Sequence, residues 1–348
     1  MALARSPGWF DLMTHGGRHD SFILALHDSE SRWSLVLPVV IADWCAAGAV
    51  GGKTLFRSTM LTARVCGGDL ITRDVTTQAI HEILQAMKAH RPDIRALLLD
   101  HVPEGPRVEA LQSCSTAKGV TCYALFRALP HYRLALPEQL EACLGLRSGK
   151  SLRRLESKGR ALERALGGTL RLVEIKNEQQ VAAYADRIQT LMGATWQARL
   201  LGHTLHVSDM VDAATRGILR SFMLMADETP IAFALCYQGC GTLMYEQPGF
   251  DPRYRKYSPG ALLLYRMIEA VYRQDPPRYI DYGEGEARYK GEMANEIIHA
   301  SAFIVHQGGL RERAVFLALA LTRWLDRAVR AAVKATPLGR RWIQSLKH

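Results

Sequence analysis

The sequence lacks the features that mark secreted, disulfide-bonded and membrane-spanning proteins. No apolar run reaches the roughly 20 residues that cross a bilayer, and the N-terminal segment has no long apolar stretch typical of a secretory signal. The seven cysteines are scattered and include no Cys-x-x-Cys pair. We therefore expect a cytoplasmic protein with reduced thiols and no metal site, associated at most peripherally with the inner face of a membrane.

Basic residues outnumber acidic ones, but the excess is confined to two segments. The 348 residues include 44 Lys and Arg against 34 Asp and Glu, a formal net charge of +10. Residues 147–164 carry a net +5 and residues 308–348 a net +7, so the remainder is slightly acidic. Local basic faces predict anionic partners such as phosphates, lipid head groups or RNA, although a solvated helix face has the same composition.

Apolar periodicity predicts alternating strands and helices in both halves of the chain. In the N-terminal half, strands are predicted at 21–26, 33–41, 94–99 and 120–126, and helices at 75–90 and 106–117. In the C-terminal half, strands are predicted at 170–175, 222–226, 231–237, 242–247, 279–282 and 300–306, and helices at 179–196, 208–220 and 258–272. One or two further helices are expected within 136–166. A chain of this length and order is long enough for two α/β domains.

The most informative stretch is 245–290. A strand runs into a basic, aromatic loop, and this loop ends in Ser258-Pro259-Gly260 at the start of a helix. Serine is a favourable N-cap, proline suits the first helical position, and glycine lets a ligand approach the backbone closely. The first helical turn offers unpaired N–H groups at the positive end of the helix dipole. The pattern predicts a phosphate or pyrophosphate site, and the alternative is an ordinary helix start.

The segment from this triplet to DYGEGEARYK, residues 258–290, resembles the GNAT-fold acyltransferases of the CelD-like (cellulose biosynthesis) group, which are related to the Fem peptidoglycan aminoacyltransferases. Residues 136–163 are similar to the segment that precedes the family's C-terminal lobe. The resemblance implies an α/β fold with a mixed sheet and two GNAT-like lobes in tandem. It places a degenerate lobe at 1–135 and an acyltransferase lobe at 136–308. Residues 309–348, beyond the resemblance, are predicted from their composition to form a basic amphipathic helical tail.

The resemblance also implies a reaction, in which an acyl group moves from acetyl-CoA or another acyl-CoA to an amine. The acceptor would be a sugar, an amino acid or an envelope precursor. The residues expected to bind the donor are Arg253, Arg255, Lys256, Ser258 and Gly260.

Acyl transfer also needs a polarised carbonyl, a base and an acid. A backbone N–H near residues 245–247 is expected to polarise the carbonyl, and Glu246, Asp281 or Glu284 to act as the base. Because strand neighbours alternate faces, Tyr245 and Glu246 cannot both face the cleft unless a bulge intervenes. Tyr289 is the expected proton donor to the leaving thiolate. Substrate binding is assigned to Arg153, Arg154 and Lys290.

Two other functions fit the same residues. A Fem-like transferase would take its acyl group from aminoacyl-tRNA and use the basic segments to bind the RNA backbone. A non-catalytic protein with this fold would use its tail to bind an anionic membrane surface. The tail has an apolar run at 314–321 with arginines on both sides. A helix docked on the lobes would need the same run, so both interpretations of the tail stay open.

Overall fold

The computed structural model divides the chain into two compact units, each built from two separate stretches of sequence. Unit 1 comprises Met1–Arg18 and Ala128–Ala300, and unit 2 comprises His19–Arg127 and Ser301–His348. The structure describes residues 7–14, 20–27, 33–51, 53–67, 71–72, 77–114, 120–140, 149–193, 205–307 and 309–335.

The described residues include nine α-helices and twelve strands. The helices are α1 Pro7–Met13, α2 Thr77–His90, α3 Pro106–Cys114, α4 Gly149–Leu166, α5 Glu178–Gly193, α6 Val207–Thr215, α7 Pro259–Arg273, α8 Arg288–Met293 and α9 Leu310–Ala335. The strands are β1 Ser21–His27, β2 Trp33–Val50, β3 Lys53–Val65, β4 Ile71–Thr72, β5 Ala96–Pro103, β6 Thr121–Ala135, β7 Leu170–Ile175, β8 Ser221–Ala226, β9 Thr229–Gly239, β10 Thr242–Phe250, β11 Tyr279–Glu284 and β12 Glu296–His306. A 3₁₀ helix, Pro252–Tyr257, precedes α7.

Unit 1 is a mixed sheet with helices on both faces. Its strands follow the order β6–β11–β10–β9–β8–β7, in which only β10 and β11 pair in parallel. Alternate residues of β8 enter opposite cores: Phe222 packs in the core with α4 and α7, whereas Met223 packs in the core with α5 and α6. Because β8 is covered on both faces, its sequence SFMLMA is apolar without alternation.

The strands of unit 2 follow the order β1–β2–β3–β5–β12, and β4 pairs with β2. The pair β3–β5 is parallel. On β5, Leu97 and Leu99 pack with α2 and α3, whereas Ala96 and Leu98 pack with α9. This sheet is therefore also covered on both faces. β6 and β12 contribute residues to both units.

Most elements predicted from apolar periodicity are confirmed, with shifted ends. β7 begins and ends at the predicted residues, and α7 differs from its prediction by one residue at each end. β2 and β6 are much longer than predicted, and β3 was not predicted. The sequence of β3, KTLFRSTMLTARV, mixes Lys, Arg, Ser and Thr with apolar residues, because its first half is largely exposed. The helix predicted from Ser208 or Asp209 instead follows His206, which makes no side-chain cap.

The predicted tail contains α9, which is docked along unit 2. Phe316 and Leu319 are buried against the sheet, and Asp326 accepts a 2.9 Å hydrogen bond from the backbone N–H of Gly51 in the β2–β3 turn. A Cβ atom at Gly48 would collide with the Phe56 ring and lie 2.7 Å from Thr322 Oγ1, so glycine permits the close approach of α9 to β2. The second short helix predicted after Pro337 lies outside the described residues.

Among the described helices, none is both long enough and apolar enough to span a membrane. The lobe boundaries predicted at 135/136 and 308/309 stay predictions.

Candidate functional site

The adjacent strands β10 and β11 of unit 1 diverge. They pair in parallel only from Thr242–Tyr279 to Met244–Asp281. Beyond these residues β10 continues beside β9, and β11 continues beside β6. The divergence opens a gap at the carboxyl ends of two parallel strands, which is where α/β folds place their ligands.

A β-bulge lies on β10 at this point. Tyr245 pairs with Cys236 and Gln247 pairs with Leu235, so Glu246 is an extra residue in the ladder. The bulge is the condition under which the neighbours Tyr245 and Glu246 can face the same side of the sheet. Tyr245 is buried and the side chain of Glu246 is exposed. A bulge also turns backbone N–H groups away from the ladder, where they become available to a ligand.

The predicted anion-binding loop follows β10 and folds as the 3₁₀ helix. Asp251 begins this helix by accepting a hydrogen bond from the backbone N–H of Arg253, and its carboxylate also holds the Arg253 guanidinium at 2.6 Å. The hydrogen bond from the Arg253 guanidinium lowers the pKa of Asp251, and its effect outweighs that of burial, which would raise this pKa. Arg253 is therefore already paired with Asp251 within the loop. Arg255 and Lys256 are exposed and form no ion pair with any described residue, so they are the cations that remain for a ligand.

Ser258 occupies the N-cap position of α7 as predicted, and its backbone carbonyl accepts hydrogen bonds from the N–H groups of Ala261 and Leu262, but its side chain does not cap the helix. Ser258 has a left-handed backbone (φ 57°, ψ 50°), and its side chain makes no capping hydrogen bond to α7. Its hydroxyl instead accepts a 2.7 Å hydrogen bond from Lys158 Nζ of α4. Pro259 occupies the first turn as predicted. Ser258 thus brings an ammonium group from a distant helix to the start of α7.

The missing side chain at Gly260 leaves open space that the protein does not fill. A Cβ atom there would meet only the Phe250 ring, at an ordinary contact distance of 3.5 Å. The packing of the protein therefore tolerates a side chain at this position, and the open space beside the first turn of α7 suits a ligand.

Lys158 was not predicted, although its neighbours were. It lies one helical turn from Arg154 and two from Lys150, so these cations share one face of α4. Arg153 lies about 100° around the helix from Arg154 and belongs to a different face. Gly159 allows α4 to approach α7, since a Cβ atom there would lie 3.3 Å from Leu262. The sequence did contain a signal for Lys158, because it lies four residues after Arg154 and therefore on the same helix face.

Three tyrosines meet where the two strands diverge. The ring centroids of Tyr245, Tyr282 and Tyr289 lie 5.8–6.4 Å apart in edge-to-face arrangements. Burial raises the pKa of Tyr289 to about 12, and it raises the pKa of Tyr245 as well. The hydroxyl of Tyr289 therefore keeps its proton at neutral pH, as a proton donor must.

Lys290, the neighbour of Tyr289, is held inside the turn that follows β11. Its ammonium donates a 2.6 Å hydrogen bond to the backbone carbonyl of Glu284. Burial lowers the pKa of Lys290, against the opposing charges of Asp281, Glu284 and Glu246. Gly283 and Gly285 form the turn with φ values of 71° and 86°, where other residues would be strained.

Asp281 forms a buried pair with His131, which sequence reasoning missed. His131 Nε2 lies 2.6 Å from Asp281 Oδ1, and the same oxygen accepts a hydrogen bond from the Gly283 backbone N–H. Burial alone would raise the pKa of Asp281, but the hydrogen bond and charge of His131 hold it well below its usual range. The two residues are 150 positions apart on antiparallel strands, and no local pattern connects them.

A family comparison covers this part of the chain. Residues 149–291 match the model described as an acetyltransferase (GNAT) domain. Over this stretch, which is less than half of the chain, the protein is similar to that family. The matched stretch contains the diverging strands, the 3₁₀ loop, Lys158 and the Tyr289-Lys290 pair.

Solved structures resemble the matched stretch together with most of the rest of the chain. FemX is 12% identical, with 87% of this chain and 91% of FemX covered at a TM-score of 0.58. A tandem GNAT protein from the clavulanic acid biosynthesis pathway is 14% identical, with 87% and 94% covered at 0.51. A conserved protein of unknown function from Bacteroides thetaiotaomicron is 10% identical, with 86% and 90% covered at 0.52. At such identities the likeness is one of fold, and it confirms the expected mixed α/β, GNAT-like architecture. A comparison with curated protein sequences gave no significant match, and membership of the CelD-like group stays a prediction.

Proposed function

We propose that the protein is an N-acyltransferase that moves an acyl group from acyl-CoA to an amine of a sugar, an amino acid or an envelope precursor. The observation that carries this proposal is the divergence of β10 and β11 at a bulge, directly before the 3₁₀ loop and the start of α7. An extended donor fits this arrangement, with its thioester beside the bulge and its pyrophosphate at α7.

The donor phosphates are held by Lys158, Arg255 and Lys256 together with the first turn of α7. Open space at Gly260 lets the pyrophosphate approach the backbone. In this proposal the Ser258 hydroxyl orients Lys158 and does not cap α7. The roles of Arg255, Lys256 and Gly260 follow the sequence prediction, whereas Arg253 stabilises the loop through Asp251.

The thioester carbonyl accepts hydrogen bonds from backbone N–H groups at the bulge, and the amine nitrogen attacks its carbon. Glu246, exposed at the bulge, takes the proton that the amine loses. The carbon–sulfur bond breaks, and Tyr289 donates its proton to the departing thiolate. Asp281, with its depressed pKa, orients His131 and is a poor base.

Substrate binding was predicted for Arg153, Arg154 and Lys290, and we propose a different role for each according to its position in the structure. Arg154 shares a face of α4 with Lys158 and extends the donor site, and Lys290 neutralises charge beside Glu284. Arg153 lies on another face of α4, where it is exposed to an anionic acceptor or to solvent.

A second candidate is transfer from aminoacyl-tRNA. The observation that favours it is the basic face of α4, on which Lys150, Arg154 and Lys158 repeat every four residues. The resemblance of fold to FemX is compatible with it. In this case the same face would contact an RNA backbone, and binding would weaken steeply with salt.

Calorimetry with CoA tests the donor site. Gly260→Val and the double variant Arg255→Glu/Lys256→Glu should each weaken CoA binding more than tenfold, a loss above about 1.4 kcal/mol. Arg57→Glu, at an exposed arginine of unit 2, is the matched charge control and should bind CoA as the unchanged protein does.

The alternatives predict other results. If the folded protein ignores CoA but binds tRNA with a steep salt dependence, the second candidate replaces the first. If the anchor variants bind CoA normally, the donor site lies elsewhere. Incubation with labelled acetyl-CoA and a mixture of amines, followed by mass spectrometry, would identify the acceptor.

A further inference from the structure

The outward face of α9 carries an apolar stripe. Leu310, Leu317, Leu321 and Trp324 are 85%, 71%, 54% and 59% exposed. Their spacings of seven, four and three residues place them on one side of the helix. Large apolar side chains aligned over four turns are unusual on a water-facing helix, and they indicate an interaction surface.

This stripe is separate from the face that docks α9 onto unit 2. The docked face consists of Phe316, Leu319 and Thr322, which are buried. Leu317 and Leu319 are about 200° apart around the helix, so the two faces point in nearly opposite directions. Packing within unit 2 therefore explains the docked face and leaves the apolar stripe unexplained.

The charged residues around the stripe have one sign. Arg313 is exposed at the edge of the stripe, and Arg311 and Arg327 are exposed on its two flanks, about 90–110° around the helix from its centre. The two acidic residues of α9 are turned elsewhere, since Glu312 is buried and Asp326 bonds to the Gly51 backbone. The described outward face thus combines apolar and cationic groups, and neither carboxylate of α9 lies on it.

We propose that the outward face of α9 docks on an anionic lipid surface, with the helix lying in the plane of the interface. Leucine side chains enter the acyl boundary, the indole of Trp324 suits the head-group level, and the arginines meet lipid phosphates. A second copy of the chain fits this face less well, because symmetric pairing would bring arginines against arginines with no carboxylate between them.

Vesicle co-sedimentation of the full-length protein tests this inference. Vesicles of phosphatidylcholine and phosphatidylglycerol in equal amounts should bind the protein at low salt and release it at high salt, and vesicles of phosphatidylcholine alone should bind it weakly. Arg313→Gln/Arg327→Gln should lower the partition coefficient about thirtyfold, since each arginine contributes about 1 kcal/mol. Leu317→Ser/Leu321→Ser should abolish sedimentation with vesicles.

The matched control is Ile297→Ser/Arg57→Gln, which removes an exposed apolar residue and an exposed arginine elsewhere. It should partition as the unchanged protein does. The salt dependence of vesicle binding is measured on the unchanged protein, so it tests the proposal even if a variant misfolds. Failure to bind the anionic vesicles at low salt overturns the proposal. A dimer in solution that Leu317→Ser/Leu321→Ser dissociates would likewise overturn it and assign the face to a second copy.

Discussion

At the scale of single residues, the site depends on partners that are remote in sequence. Ser258 meets Lys158 from 100 positions away, and Asp281 meets His131 from 150 positions away. Sequence patterns locate Ser258, Asp281 and Tyr289 because each lies in or beside a local motif. They cannot locate His131, because the pairing of β6 with β11 brings it to the site and no local spacing encodes that pairing.

The Asp281–His131 pair predicts an acid-sensitive contribution to stability. The folded-state pKa of Asp281 is depressed, so its stabilisation is complete above its unfolded pKa of about 4 and is lost as pH falls toward the folded value. Asp281→Asn should cost about 3 kcal/mol at pH 7 because it leaves His131 in a broken buried pair. Urea unfolding across pH should show the difference shrinking below pH about 4. A difference independent of pH would contradict the pairing.

Tyr289 predicts a kinetic effect separate from binding. Tyr289→Phe should lower kcat at least tenfold while the KM for the acyl donor stays nearly constant, because the hydroxyl acts on the leaving group only. Tyr265→Phe, on α7, removes a hydroxyl that bonds to Glu269 and serves as the control. Steady-state kinetics of both variants measures this effect. Equal kcat values for Tyr289→Phe and Tyr265→Phe would mean that Tyr289 serves in packing and does not donate a proton.

At the scale of elements, sequence periodicity performs well where a strand is short and bounded by turns. β8 is apolar and buried along its whole length, and β7 has its buried apolar residues Leu170 and Ile175 at its two ends, so the positions of both strands were predictable. β3 was missed because its first half is exposed and polar, and its identity as a strand comes from pairing with β2. The bulge at Glu246 could be named from the sequence as a requirement but could not be located. The register of β10 is set by its pairing with β9 and cannot be deduced from the residues of β10 alone.

The fit of α9 on β2 predicts a packing effect at Gly48. Gly48→Ala should destabilise the protein by about 1–3 kcal/mol, because the added methyl group collides with Phe56 and Thr322. Gly193→Ala is the control, since a Cβ atom there meets nothing within 4 Å. Urea denaturation measures both. Equal stability of the two variants would mean that α9 moves away from β2 without cost.

At the scale of the whole molecule, α9 is a structural part of unit 2 as well as the proposed lipid contact. A chain ending at Gln307 should aggregate or bind a hydrophobic dye, because Met60, Leu98 and Ile304 lose the cover of Phe316 and Leu319. Light scattering and dye fluorescence, compared with a chain ending at Ala335, measure this. A monomeric and dye-negative product would show that the docked face contributes little.

The interleaving of the two units in the sequence sets an order during synthesis. Residues 19–127 leave the ribosome early, yet unit 2 is completed only by residues from Ser301 onward. All of the second stretch of unit 1, residues 128–300, is translated in between. At about 5–20 residues per second this delay lasts on the order of 10–35 s. Throughout that interval the sheet of β1, β2, β3 and β5 lacks both its last strand and α9. The apolar face of the half-built unit 2 is uncovered during that interval, so we expect slower translation after residue 127 to increase the fraction of nascent protein that aggregates.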